Sequence, residues 1–187
     1  MSSSRRTFRR VLTAALAAVA LACAHAGAAL AQFQEYQVKA AYLYKFAPFI
    51  DWPANAFPTP SSPLVVCVVG DDPFGRMLDR AVAGQKMGPR PLEVRRLGRA
   101  DKAAGCHILS LGGSKAQTIG DGLASVRGAP VLTVTDEARG AEERGVIHFV
   151  VRGRNIRFLI DEEAARRNGL NISSKLLSLA VSVKARS

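Results

Sequence analysis

The chain has 187 residues, with 26 lysines and arginines against 15 aspartates and glutamates, which gives a formal net charge of +11. The basic residues are scattered and lack the aromatic interleaving of a single-strand binding platform, which argues against a nucleic-acid-binding protein. The excess charge suits either a solvated basic surface or an acidic partner.

The first 31 residues have the pattern of a cleavable secretory signal peptide. An apolar run over residues 11–22 is too short to span a bilayer, and Ala29-Leu30-Ala31 matches a small-residue cleavage site. The run follows a basic region of four arginines: Arg5, Arg6, Arg9 and Arg10. We therefore expect residues 1–31 to be removed and residues 32–187 to form one periplasmic domain.

The route of export and a lipid anchor stay open at this point. Ser4-Arg5-Arg6-Thr7-Phe8 resembles the twin-arginine export motif, although Arg9 stands where that motif prefers an apolar residue. Both Tat and Sec export are therefore kept, and so is a lipid anchor at Cys23.

The helix that we expect over residues 34–47 is apolar on two faces. One face is a core stripe: Tyr36, Ala40, Leu43, Ala47 and Ile50. The second face, which Trp52 follows, contains Val38, Tyr42, Phe46 and Phe49. A helix apolar on two faces is either deeply buried or covers its second face with a partner, and both readings stay open.

Strands and helices then alternate along the chain. Alternation of this kind predicts an α/β fold with a mostly parallel sheet covered on both faces. We expect strands at 64–69, 92–97, 106–111 and 131–134, and helices at 72–83 and 114–126.

The carboxyl-terminal third predicts a β-hairpin followed by two helices. Two apolar runs flank the turn residues 152–155. Asp161 then opens a short helix that Asn168-Gly169 ends. A second helix is expected from the stripe Ile172, Leu176, Ala180 and Val183.

Two cysteines remain after the signal peptide, Cys67 and Cys106, each in an apolar, strand-like run. A pair in an oxidising compartment is most simply a disulfide, and two buried reduced thiols are the alternative.

No catalytic constellation is evident. The segment Gly70–Gly75 lacks the middle glycine of a dinucleotide fingerprint and is better interpreted as a turn with Asp72 as a helix N-cap. His107 and His148 have no ligand pattern around them. We therefore expect no catalytic residue, no metal site and no cofactor.

The mature chain resembles the YfiR-like family of periplasmic proteins. The motifs that carry the resemblance are Tyr36-x-Val38-Lys39-Ala40-Ala41-Tyr42-Leu43-Tyr44-x-Phe46, Trp52-Pro53, Cys67-Val68-x-Gly70-Asp71-Asp72-Pro73-Phe74-Gly75, Cys106-His107-Ile108-Leu109, Val131–Asp136 and Ile156-Arg157-Phe158-x-Ile160-Asp161 with the segment Gly169–Ala180.

The resemblance implies a dimeric, non-enzymatic, Rossmann-like sandwich that binds the periplasmic sensor domain of a membrane diguanylate cyclase and represses cyclic-di-GMP synthesis. It also implies sequestration by an outer-membrane lipoprotein, and a histidine kinase is a further candidate partner. The pair Cys67 and Cys106 fits a family disulfide, while a second one has no counterpart here.

We expect the partner to contact the aromatic helix and the basic hairpin. The candidate contact residues are Tyr42, Lys45, Phe46, Trp52, Arg154 and Arg157. A periplasmic small-ligand binding protein, with its ligand at the carboxyl ends of the strands, is the alternative function.

Overall fold

The computed structural model describes residues 30–140, 143–153 and 155–185, and these residues have a mixed α/β fold. By internal contacts the chain divides after Tyr36, and the fold described below belongs to the unit that begins at Gln37. The signal peptide expected from the sequence lies almost wholly outside the described residues. No helix in the described ranges is long and apolar enough to cross a membrane.

The described residues form helices α1–α5 and strands β1–β10. The helices are residues 30–45 (α1), Arg76–Val82 (α2), Ile119–Ser125 (α3), Glu162–Arg167 (α4) and Ser174–Leu177 (α5). The strands are Ile50–Asp51 (β1), Leu64–Val69 (β2), Lys86–Met87 (β3), Arg90–Leu97 (β4), Ile108–Leu111 (β5), Leu132–Asp136 (β6), Ile147–Arg152 (β7), Asn155–Asp161 (β8), Asn171–Ile172 (β9) and Ser182–Lys184 (β10).

One eight-stranded sheet organises the fold, in the order β10-β8-β7-β6-β5-β2-β4-β3. The strands β4, β2, β5, β6 and β7 run parallel to one another, and β7 and β8 form the antiparallel hairpin expected near the carboxyl terminus. Numbered along the chain, the five parallel strands have the order 2-1-3-4-5, which is common in doubly wound sheets. The mostly parallel α/β sheet is thus confirmed, and its order is compatible with the Rossmann-like expectation.

Both faces of the sheet are covered at its centre. All six residues of β2 are buried, although successive side chains in a strand point to opposite faces. Val65, Cys67 and Val69 pack in a core cluster with Ile119 of α3. Parallel strands of this kind are apolar throughout because neither face meets water.

Two helices begin later than the sequence suggests, because polar side chains bind backbone in turns first. Asp72 accepts hydrogen bonds from the N–H groups of Phe74 and Gly75, so it forms a turn before α2 rather than its N-cap. Ser114 accepts from two N–H groups in the same way, and α3 starts only after Thr118, its N-cap. Short polar side chains compete with the helix for backbone groups.

The second closing helix expected from the stripe Ile172 to Val183 is wrong. Ile172 lies in β9 and pairs with Ile50, and Val183 lies in β10 and pairs with Ile160. Only the single turn α5 between them is helical. Pairing with distant strands outweighs a local helical pattern here, because tertiary contacts routinely override propensity.

The first closing helix agrees with its sequence signals. Asp161 is the N-cap of α4 and accepts a hydrogen bond from the N–H of Ala164. The helix ends at Arg167 and is followed by Asn168 and by Gly169, whose φ of 69° lies in the left-handed region that favours glycine.

Cys67 and Cys106 are joined by a disulfide, with Cα atoms 5.8 Å apart. Both side chains are buried in the core cluster under α3. The bridge therefore ties β2 to the segment that leads into β5.

Removal of the disulfide should lower the stability of the protein, but the protein should still fold. The bond closes a loop with a sequence separation of 39 residues, so Cys67→Ser/Cys106→Ser should lower the free energy of unfolding by about 4 kcal/mol. Urea denaturation of the oxidised wild type and of the double variant measures the difference. Reduced wild type is the matched control and should behave like the variant, while two alkylatable thiols in the unreduced protein would contradict the pairing.

Candidate functional site

An aromatic cluster packs α1 against the β7–β8 hairpin. The rings of Tyr42 and Phe46 stack 5.6 Å apart, and Phe46 meets Phe158 edge-on at 5.2 Å. Phe149 lies 6.0 Å from Tyr42 and 5.9 Å from Phe46. Aromatic pairs in these offset and edge-to-face arrangements are favourable beyond the area that they bury.

Phe46 belongs to the core rather than to an open surface. Its side chain is only 2% exposed, whereas Tyr42 beside it is half-buried. Of the two readings that the sequence left open for the second apolar face, burial therefore holds at Phe46. Val38, one turn before Tyr42, is 44% exposed, and Lys45 is exposed too. The chain thus buries Phe46 and leaves Val38 and Lys45 at the surface.

A buried ion pair fixes the same helix to the sheet. The Lys39 ammonium lies 2.7 Å from both carboxylate oxygens of Asp136, at the end of β6, and Lys39 is fully buried. The register of β6 and β7 pairs Asp136 with Phe149, so the ion pair lies beside the aromatic cluster. The sequence does not reveal this contact, because Lys39 and Asp136 lie 97 residues apart.

Trp52 lies in a second aromatic cluster. Its ring is 5.9 Å from His107 and 6.1 Å from Phe57, and the Phe57 and His107 rings stack at 4.2 Å. The guanidinium of Arg90 covers Phe57 at 3.6 Å. Trp52 thus packs against Phe57 of the 53–63 loop and against His107, in a different cluster from Tyr42 and Phe46.

Arg157 does not extend the α1 surface in the way the sequence suggested. Arg157 is exposed and directly precedes Phe158, which faces α1. Neighbouring residues of a strand point to opposite faces, so Arg157 points to the far side of the sheet. Arg154 lies outside the described residues. The expected contact residues therefore occupy several places rather than one patch.

The far side of the sheet carries a basic cleft. A cavity of about 260 Å³ lies between α3 and α4 over Thr133, a residue on the face opposite Asp136. Three arginines and one glutamate line it: Arg127, Arg144, Arg167 and Glu143. Arg167 already pairs with Glu163 at 2.8 Å. Guanidinium groups in such a cleft can hold a carboxylate through paired hydrogen bonds.

The crevice at the carboxyl ends of the strands is occupied by the protein itself. Gly70, after β2, packs so tightly against the backbone of Gly112 that a Cβ would collide with it. The Arg139 guanidinium lies against Gly112 from the other side, and its Nε is buried without a hydrogen-bond partner among the described residues. Close glycine packing leaves little room where doubly wound sheets usually bind ligands.

Both described histidines have structural roles. Val65 N–H donates to His107 Nδ1 at 3.1 Å, so Nε2 carries the proton that it shares with the Ala56 carbonyl at 2.9 Å. Thr135 Oγ1 accepts from Gly145 N–H and lies 2.8 Å from His148 Nδ1. Burial lowers the pKa of both rings below the ordinary value of 6.5. No three His, Cys, Asp or Glu side chains of the described residues come together as metal ligands.

Together these features define a disulfide-bonded α/β protein in which an aromatic cluster packs helix α1 against the β7–β8 hairpin. The chain belongs to the YfiR/HmsC-like family, whose model matches residues 36–181. That family is periplasmic and regulatory rather than catalytic. Comparison with curated proteins finds no match.

Breaking the buried ion pair should be costly. Lys39→Met leaves Asp136 buried without its cation, and we expect a loss of about 3–5 kcal/mol in the free energy of unfolding. The double variant Lys39→Met/Asp136→Asn should lose less than the sum of the two single variants. Urea denaturation of the four proteins completes the cycle. Lys45→Met, an exposed lysine on the same helix, is the control and should change stability by no more than about 0.5 kcal/mol.

Stability should fall as the medium becomes acidic. The folded protein needs His107 and His148 neutral, so between pH 6.5 and their lowered pKa values the unfolded chain binds more protons. The free energy of unfolding should therefore decrease as pH falls below about 6.5. Denaturation at pH 7.5 and pH 5 measures the slope.

The matched variants for this pH dependence are His107→Asn and His148→Asn. Each should flatten the slope relative to wild type, whatever its effect at pH 7.5. A variant with the wild-type slope would show that its histidine takes up no extra proton on unfolding.

Proposed function

We propose that the protein is a non-enzymatic periplasmic regulator that binds and represses the periplasmic sensor domain of an inner-membrane signalling protein. A diguanylate cyclase is the preferred partner, so the output would be cyclic-di-GMP. The observation that carries the proposal is the family match over residues 36–181, because this family regulates such cyclases from the periplasm.

The open part of α1 supports a protein partner. Val38 and Lys45 are exposed on this helix, and the half-buried Tyr42 lies between them in sequence. Leu179 and Val181 are 53% and 46% exposed, and Val181 N–H bonds to the carbonyl of Phe158, next to Tyr42. Exposed apolar side chains with a cation beside them suit a partner that offers both apolar and acidic groups.

The remaining candidate residues take different roles in this proposal. Phe46 and Trp52 support contact surfaces by packing beneath them. Arg154 and Arg157 belong to the hairpin, from which guanidinium groups can pair with a partner's carboxylates. The regulator is proposed to be a homodimer that leaves the cytoplasm by its signal peptide, and an outer-membrane lipoprotein would relieve repression by sequestering it.

The test combines a cellular output with a binding measurement. Deletion should raise cyclic-di-GMP, and the purified protein should bind the isolated sensor domain. Lys45→Glu should weaken that binding at least about tenfold by placing a like charge against an acidic partner, with an unchanged melting temperature. Lys115→Glu, an exposed lysine after β5, is the charge-matched control and should bind as wild type does.

A histidine kinase is the second candidate partner. In that case, deletion of the regulator should raise phosphorylation by the kinase. Unchanged cyclic-di-GMP and kinase output after deletion, with no sensor recovered from membranes, would contradict the regulator. Those results would favour the periplasmic small-ligand binding protein.

A further inference from the structure

A cavity of about 450 Å³ lies at the amino ends of the central strands. Val65 of β2, His107 before β5 and Val131 before β6 line its floor. Its volume is within the range of pockets that hold small organic molecules. It lies at the opposite end of the sheet from the crevice that Arg139 fills, so it is a separate place in the fold.

The walls of this cavity are mainly apolar. Proline rings, valine side chains and the buried disulfide supply them, and the contributing residues include Pro58, Pro63, Val65, Cys106, Pro130 and Val131. Water in such a cavity makes few hydrogen bonds, so an apolar molecule of matching size gains by replacing it.

One wall is held rigid. His107 uses both ring nitrogens in hydrogen bonds to backbone, and its ring stacks on Phe57, which Arg90 covers on its other face. Arg90 also donates to the carbonyls of Thr59 and Ser62. Hydrogen bonds to backbone thus hold His107 and Arg90 on the two faces of the Phe57 ring. A wall that is preformed in this way reduces the entropy that is lost on ligand binding.

The polar groups of this cavity are cationic. Arg95 and Lys102 line it, and no acidic residue does. Arg95 is engaged with Glu93 at 3.3 Å and with the Ala104 carbonyl. Lys102 has no ion pair within the ranges that the structure describes. His107 stays neutral because both nitrogens are committed, so Lys102 is the cation best able to meet a ligand.

We propose that this cavity binds a small apolar molecule with one carboxylate, its apolar part against the prolines and valines and its carboxylate at Lys102. The site does not depend on the regulatory proposal, because binding is a property of the isolated protein. If no ligand binds in the cavity, the result of the sensor-binding experiment is unaffected. If the sensor domain does not bind, the ligand-binding experiment is likewise unaffected.

The protein contains its own reporter for this site. Trp52 is the sole tryptophan of the chain, and its ring contacts His107, which lines the cavity. A ligand in the cavity should therefore change the tryptophan emission. Hexanoate is the probe, and the uncharged hexanamide of the same length tests the need for the carboxylate.

We expect saturable binding of hexanoate in both tryptophan fluorescence and calorimetry, and at least fivefold weaker binding of hexanamide. Lys102→Gln should reduce hexanoate affinity to that of hexanamide, while Lys115→Gln should leave it unchanged. Asn55→Phe, at an exposed residue of the cavity lining, should abolish binding of both molecules by filling the space.

Circular dichroism and thermal melting must first show that each variant is folded. Absence of saturable hexanoate binding to the wild type would overturn the proposal. Equal affinity for hexanoate and hexanamide would overturn the assignment of a carboxylate ligand, and undiminished binding to folded Asn55→Phe would place the site elsewhere.

Discussion

The ion pair between Lys39 and Asp136 is the contact on which the placement of α1 depends. The two residues are 97 positions apart in sequence, and Lys39 is fully buried. Apolar contacts alone would allow the helix to slide or rotate over the sheet at small cost, because they are not directional. A buried charge has no such freedom, since its cost is offset only where its partner meets it at hydrogen-bonding distance. We infer that the pair selects one position for the helix, and that the aromatic cluster then packs around that position.

The two sides of the sheet have different kinds of surface. On the α1 side, Lys39 and Phe46 are buried, whereas their sequence neighbours Val38 and Lys45 lie at the surface. On the far side of the sheet, guanidinium groups surround a cleft and Arg157 is exposed. A regulator with an apolar surface on one side and a basic surface on the other could engage two different proteins in turn. Under the proposed function, these two surfaces offer separate places for a sensor domain and for an outer-membrane lipoprotein.

The sequence predicted features that depend on local interactions better than features that depend on contacts between distant segments. The hairpin, the Asp161 cap and the end of α4 before Gly169 depend on neighbours within a few residues, and all appear as expected. The disulfide was predictable because only two cysteines, Cys67 and Cys106, follow the expected signal peptide, which leaves one pairing. The helix expected over Ile172–Val183 failed because its apolar residues pair with Ile50 and Ile160, which a local pattern does not reveal. The ion pair, the burial of Phe46 and the stack around His107 all join distant segments, and only the folded chain brings them together.

The outermost strands at the two ends of the eight-stranded sheet are short. At one end β3 has only two residues, and at the other β10 has three. Lys184 of β10 also holds Asp161 and Glu163 at 3.2 and 3.3 Å, which places a charge on the outermost strand. Short edge strands with lysine are a common means of preventing the indiscriminate joining of sheets. An added strand would therefore find only two residues of β3 or three residues of β10 to pair with at the outermost positions.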